Sequence, residues 1–239
     1  MAKIKKSSEL MWIFGTIFVA LGVAVCSKAD LGVSMIAAPA FILAEALSML
    51  WGGFTVGVVE YIFQGLLLII LCFIIKRFRW KYLLAFLVAV IYGYTLDLFL
   101  FLLKDVVINA VYVRYILLIV GDFLVAFGVA SFFRTYLPLQ VYELFVSETA
   151  KVYNFAISKV KYIFDGVLLV VSLILAFTLF GDVKTFDFTS IWYSSYHSIG
   201  LGTIITTIIN SPIIALMGKL IDKCFGHEPL FPKWKAFFD

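Results

Sequence analysis

Charge is what this chain has least of. Only 14% of its 239 residues are Asp, Glu, Lys or Arg, and 64% are hydrophobic, against about 25% and 45–50% in ordinary soluble domains. A soluble fold of this length has no interior large enough to hide so much apolar surface, so the composition predicts an integral membrane protein. The net charge of +4 then bears on topology and lipid headgroups; no basic face suggests nucleic acid. Cysteine is scarce too. Cys26, Cys72 and Cys224 form no CxxC, and His197 and His227 stand apart from them. That pattern excludes a disulfide framework and offers no metal-ligand set, so buried thiols and no cofactor are expected. Nor is there a nucleophile–base pair, a phosphate loop or an HExxH motif, and an enzyme is not expected.

Long apolar passages are abundant. Six stand out, at 9–27, 55–75, 80–103, 112–133, 160–181 and 198–221, each about the 20 residues that cross a bilayer. The first follows Lys3, Lys5 and Lys6 like a signal peptide but lacks a cleavage pattern, and reads as a retained span. Two further segments are ambiguous, 32–50 and 138–156. Trp12, Trp51, Trp80, Trp192 and Trp234 flank apolar passages, as interface anchors do.

The chain repeats itself. VEYIFQGLLLII (59–70) returns as VKYIFDGVLLVV (160–171), and VALGVAVCSKADLG (19–32) aligns with VAFGVASFFRTYLP (125–138). Two related halves follow, 1–103 and 112–223, joined by a linker at 104–111 and followed by a cytoplasmic tail at 224–239. Segment 32–50 then corresponds to 138–156, which contains Glu143, Glu148 and Lys151 and is too polar for a lipid-exposed span. Neither is expected to cross; each is a re-entrant hairpin or a short helix buried in the bundle. With both termini cytoplasmic, only Lys28, Lys104, Arg114 and Lys184 of the 19 basic residues remain outside. If both segments cross, the cluster KRFRWK (76–81) and Arg134 move outside while Lys104 and Arg114 move in, which leaves more basic residues outside, against the positive-inside rule. The expected fold is therefore all-α, with two inverted-topology repeats of three transmembrane helices and one short segment each. An inverted second half also explains why Glu60 is replaced by Lys161, since a basic residue is preferred at the cytoplasmic leaflet.

Ionisable groups deep in a bilayer are costly and mark candidate sites. Asp122 lies ten residues into its span, roughly 15 Å deep. Asn210 lies at similar depth, and Ser211 and Pro212 follow; the proline is expected to break or kink the helix and free carbonyls. A site formed by these groups competes with a purely packing role. Asp165 is an i,i+4 neighbour of Lys161, which makes a helix-end salt bridge the plain reading; its counterpart Gln64 suggests a paired central site. Lys28 and Arg134 either snorkel to headgroups or leave positive charge at a cavity mouth. Glu143 faces either that cavity or solvent. Asp97 lies near the outer end of its span.

The run Ala29-Asp30-Leu31-Gly32-Val33-Ser34 resembles the first-half motif of the YczE/YyaS/YitT-like bacterial membrane proteins, with Met35 where the family has Pro. The second copy keeps Leu137, has Pro138 for Gly, and places Glu143 where an Asp is expected. GLGTIITTIINSP (200–212) and YGYTLDLF (92–99) are similar to the family's other segments. The resemblance implies a multi-pass protein of the cell membrane, similar to groups loosely regarded as transporters or exporters of small organic compounds. The expected function is transport of a small solute, coupled to a proton or cation, with lipid as the other contact. The alternative is a non-transporting accessory protein that binds a partner protein or lipid.

Overall fold

The computed structural model of the chain describes residues 4–6, 8–181 and 192–231. Among these are eight α-helices: α1 (Ser8–Ala29), α2 (Ala38–Ser48), α3 (Val56–Ile75), α4 (Lys81–Leu102), α5 (Val111–Phe132), α6 (Val141–Tyr153), α7 (Ile157–Phe180) and α8 (Leu201–Cys224). All but α2 and α6 are long and apolar enough to cross a membrane, six candidate spans in all. Their 20–24 residues reach about 30–36 Å at 1.5 Å per residue, enough for the hydrocarbon core. The protein is thus a predominantly helical, multi-pass membrane protein. At 11 and 13 residues, α2 and α6 are too short to span. Each follows an irregular stretch of chain and packs inside the bundle, α2 against α3 and α7, α6 against α3, α4 and α7.

Glycine sets how closely the helices approach. On α1 and α5, Gly22 lies against Gly121 and Gly15 against Gly128; a Cβ at Gly22 would stand 2.6 Å from the Gly121 carbonyl oxygen, and one at Gly128 2.8 Å from that of Gly15. Small residues let helices associate in lipid through backbone contact, because apolar burial gives no preference for protein over acyl chains. Residues later on α1 meet residues earlier on α5, so this pair runs antiparallel. Leu118 of α5 meets Gly202 of α8, and Arg134 just beyond α5 meets Gly218, so α5 and α8 run parallel. Gly57 meets Gly93, and Thr55 donates to Asp97 Oδ2 at 2.6 Å, so α3 and α4 are antiparallel. Asp97 also accepts from the Gly57 amide at 2.7 Å. It therefore caps the start of α3 from a neighbouring helix and supplies acceptors that the helix terminus lacks.

Two short strands lie outside the all-α expectation. β1 (Ile4–Lys6) and β2 (Phe225–Glu228) pair in parallel, joining the chain's two ends. A clasp reinforces the pairing: Glu9 accepts from the Tyr136 hydroxyl at 2.5 Å and from the Leu230 and Phe231 amides at 2.8 and 3.0 Å. Lys3, Lys184, Lys233, Lys235 and Trp234, which enter the charge and anchor patterns, and the tail beyond residue 231 lie outside the described residues.

Pro212 does not break its helix as expected; α8 is continuous from Leu201 to Cys224. One missing donor in a helix of 24 residues leaves the turns on either side bonded.

Candidate functional site

The irregular stretches before α2 and α6 carry those helices' starts into the bundle. The first begins with a turn in which Asp30 (φ 52°) and Gly32 (φ 101°) are left-handed. Leu31 O accepts from the Gly202 amide at 2.7 Å, and Asp30 accepts from Arg114 at 2.9 Å and Ser195 at 2.8 Å. Gly32 is needed there, because a Cβ would strike Thr203 Oγ1 and the Gly200 amide. The Asp-Leu-Gly motif thus fastens the chain to the head of α8 before it turns inward.

Both short helices begin at one small internal cavity. Ser34 and Ala37, before α2, and Gln140, Tyr142 and Glu143, at the start of α6, line it with Glu60 of α3 and Tyr92 of α4. A second cavity adjoins it, sharing Ile36, Val129, Tyr142 and Glu143 and adding Lys161 and Phe164 of α7. They measure about 20 and 10 Å³, room for about one water molecule each.

The lining is polar and incompletely paired. Glu60 and Gln64 are fully buried one turn apart on α3. Glu60 Oε1 accepts from the Tyr142 hydroxyl at 3.0 Å, while Oε2 has no protein partner. Glu143 Oε2 and Gln140 Oε1 also lack one. The amide of Gln64 adjoins the Glu60 carboxyl without reaching hydrogen-bonding geometry to any group. Lys161 lies 3.0 Å from Asp165 Oδ2 on the next turn of α7, with the two side chains only 9% and 0% exposed. Charges at this burial are stable only when paired, and each orphan polar group costs on the order of 1–3 kcal/mol. Such groups concentrate where a ligand or a proton completes them.

Larger vestibules lie on either side. One, of about 530 Å³, is lined by Arg79, Lys81, Tyr82, Tyr136, Glu148 and Lys151 among others. The other, of about 470 Å³, is lined by Lys28, Glu45, Thr55, Lys104 and Ser198 among others. Tyr82 and Leu100 place them at opposite ends of α4. Phe133 lines both the first vestibule and the cavity that holds Lys161, so that one ring is shared by their walls.

The structure gathers part of the expected site and leaves part of it elsewhere. Asp165, Gln64 and Glu143 belong to the central cluster, and Glu143 is buried, not on a solvated face. Asp122, Asn210 and Ser211 line neither central cavity. The register of α5 on α8 puts Asp122 level with Thr206, one turn before Asn210, and Asp122 reaches the cluster only through its electrostatic interaction with Lys161. Both Asp122 oxygens, both polar atoms of the Asn210 amide and the Ser211 hydroxyl meet no partner. Lys28 lines a vestibule and donates to Lys104 O at 3.0 Å. Arg134 does not stand free at a mouth: Asp222 holds its guanidinium through two bonds of 2.7 and 2.8 Å.

Glu60 and Lys161, expected at opposite leaflets, are instead both buried, because the second turns of α3 and α7 pack against the short helices within the bundle. The sequence does carry a signal for their role: an acid and a base exchanged at equivalent positions, each four residues before a second polar side chain. Tyr92, Tyr142 and Gln140 carry no such signal, since an apolar context reads aromatics as core or lipid-facing.

These features define a multi-pass membrane protein with a buried, charged centre between two vestibules. The chain belongs to the Family of unknown function (DUF6198), which it matches over residues 6–219. No curated protein and no solved structure matches it.

Proposed function

We propose that the protein is a secondary transporter of a small organic solute, coupled to a proton or cation and working by alternating access. The observation that carries this reading is the small internal cavity at which α2 and α6 begin, lined by residues with partnerless carboxyl oxygens and set between vestibules at opposite ends of α4. Non-helical backbone inside a bilayer is tolerated where it lines such a cavity, and short helices that end there are a common way to present ligand-binding groups.

The two halves, on this proposal, are inverted repeats with both termini in the cytoplasm. Supporting it is the exchange of contacts under the sequence alignment: shifting by 106 sends Gly15 to Gly121 and Gly22 to Gly128, so the pair Gly15–Gly128 becomes Gly121–Gly22. Contacts of α2 with α7 likewise exchange with those of α6 with α3. A pseudo-twofold through the α1–α5 crossing makes each vestibule the counterpart of the other, so rocking one half on the other closes one and opens the other. The resemblance to the YczE/YyaS/YitT-like proteins and a site in the cell membrane point the same way.

The test is flux. Purified protein in proteoliposomes with an internal pH dye is challenged with a panel of small amines, carboxylates and neutral solutes. Solute-dependent proton movement by the wild type, lost in Glu143→Gln that remains monodisperse, is the expected result. No flux for any solute sinks the reading and favours an accessory membrane protein.

A further inference from the structure

We infer that the central cavity takes a small organic ammonium, one positive charge with N–H donors, in competition with a single proton. This deepens the transport reading and rests on the same site.

The inference follows from counting charge around the cavity. Glu60 from α3 and Glu143 from α6 line it together, and each keeps Oε2 without a protein partner. The other hydrogen-bonding groups facing it are neutral: Ser34, Tyr92 of α4, and Gln140 and Tyr142 at the head of α6. From α1 only Val19 and Val23 are presented, and from α5 Val125 and Val129. Lys161, the cation of α7, borders the adjoining cavity and is held by Asp165, so that pair adds no net charge. Asp122 of α5, which interacts electrostatically with Lys161, is a further acid and not a base.

The remaining positive contribution comes from helix ends, each worth at most about half an elementary charge. The end of α2 supplies less, because the Ala37 and Ala38 amides both donate to Ser34 O and Pro39 has none to give. Two carboxylates against two such termini leave about one uncompensated negative charge. One proton or one monovalent cation removes it; an anion makes it worse, and a divalent cation overshoots. An ammonium also brings N–H donors to the two Oε2 atoms. With room for about one water, the site favours a small headgroup.

The experiment uses purified full-length protein with methylammonium chloride as probe, N-methylglucamine chloride as the bulky-cation control and N-methylglucamine acetate as the anion control. Thermal stability and proton release into weakly buffered solution are read together. Methylammonium alone should stabilise, about one proton should be released per ion bound, and apparent affinity should fall roughly tenfold per pH unit on the acid side, as competition with one proton requires. Glu60→Gln and Glu143→Gln should each lose both the stabilisation and its pH dependence. Should those variants fail to fold, wild-type selectivity still decides the matter. Stabilisation by acetate in place of methylammonium, or by neither ion, overturns the inference. Methylammonium binding without flux in proteoliposomes keeps this inference and sinks transport. Flux of an anion or neutral solute that methylammonium leaves unchanged keeps transport and overturns this inference.

Discussion

Replacing Gly22 with alanine probes the backbone contact between α1 and α5. The added Cβ would lie 2.6 Å from the Gly121 carbonyl oxygen and 2.8 Å from both the Val125 amide nitrogen and its Cγ2. Two of these three atoms are backbone, so no rotamer change relieves the clash, and α1 must move away from α5. Overpacking of this kind costs about 1–3 kcal/mol, more than the roughly 0.5–1 kcal/mol that alanine gains over glycine in a helix. The net effect is destabilisation, largest for Gly22→Val. Gly166→Ala is the matched control: nothing lies within 4 Å of a Cβ there, and the propensity gain alone leaves stability unchanged or slightly raised. Thermal unfolding in detergent, in a background without Cys72 and Cys224 and followed with a thiol-reactive dye that reports exposure of buried Cys26, gives the comparison directly. Equal midpoints for Gly22→Ala and Gly166→Ala would refute backbone contact at this crossing.

Other contacts give sharper local readouts. Asp97→Ala removes two acceptors from the head of α3 and should cost about 0.5–2 kcal/mol, with Asp97→Asn recovering part of it, measured by the same unfolding assay. Lys161→Ala strands a buried Asp165 and should cost about 3–5 kcal/mol, whereas Lys161→Met with Asp165→Leu should cost much less; a larger loss in the double variant contradicts the pairing. Glu9→Ala should free the segment after β2, seen as faster hydrogen exchange of the Leu230 and Phe231 amides with the helical core intact. Burial, together with the hydrogen-bonded Glu9 carboxylate, pushes the Tyr136 phenol up to about 12. Because this pKa is raised, the contact's contribution is complete below about pH 10 and is lost as pH climbs through 12; a phenol that ionises at its ordinary pH in an absorbance titration would argue against the clasp.

The six spans are legible because a membrane crossing is a matter of length and apolarity, both of which a sequence displays. The short helices are legible through the repeat: Glu143, Glu148 and Lys151 exclude a crossing for one copy, and alignment carries that exclusion to the other. The centre is only half visible. Gln64 and Asp165 stand out as matched polar residues, but Glu60 and Lys161 look superficial when measured by distance along their own helices. That measure fails when chain from another part of the protein returns into the bundle and buries a residue near a helix start. Asp122 and Asn210 stand out by depth alone, which says how far along a helix a residue lies and nothing of which neighbour it faces. Pro212 reads as a break only when taken as an isolated defect; one missing donor leaves the turns around it bonded, and α8 continues through it.

Side-specific labelling tests the antiparallel arrangement most directly. In a background without Cys26, Cys72 and Cys224, single cysteines at Gly52, after α2, and at Phe155, after α6, are exposed to a membrane-impermeant maleimide from either face of oriented vesicles. Inverted halves require that the two label from opposite faces, with Arg77→Cys on the same face as Phe155→Cys and Lys104→Cys on the same face as Gly52→Cys. Labelling of Gly52→Cys and Phe155→Cys from one face would contradict the inversion.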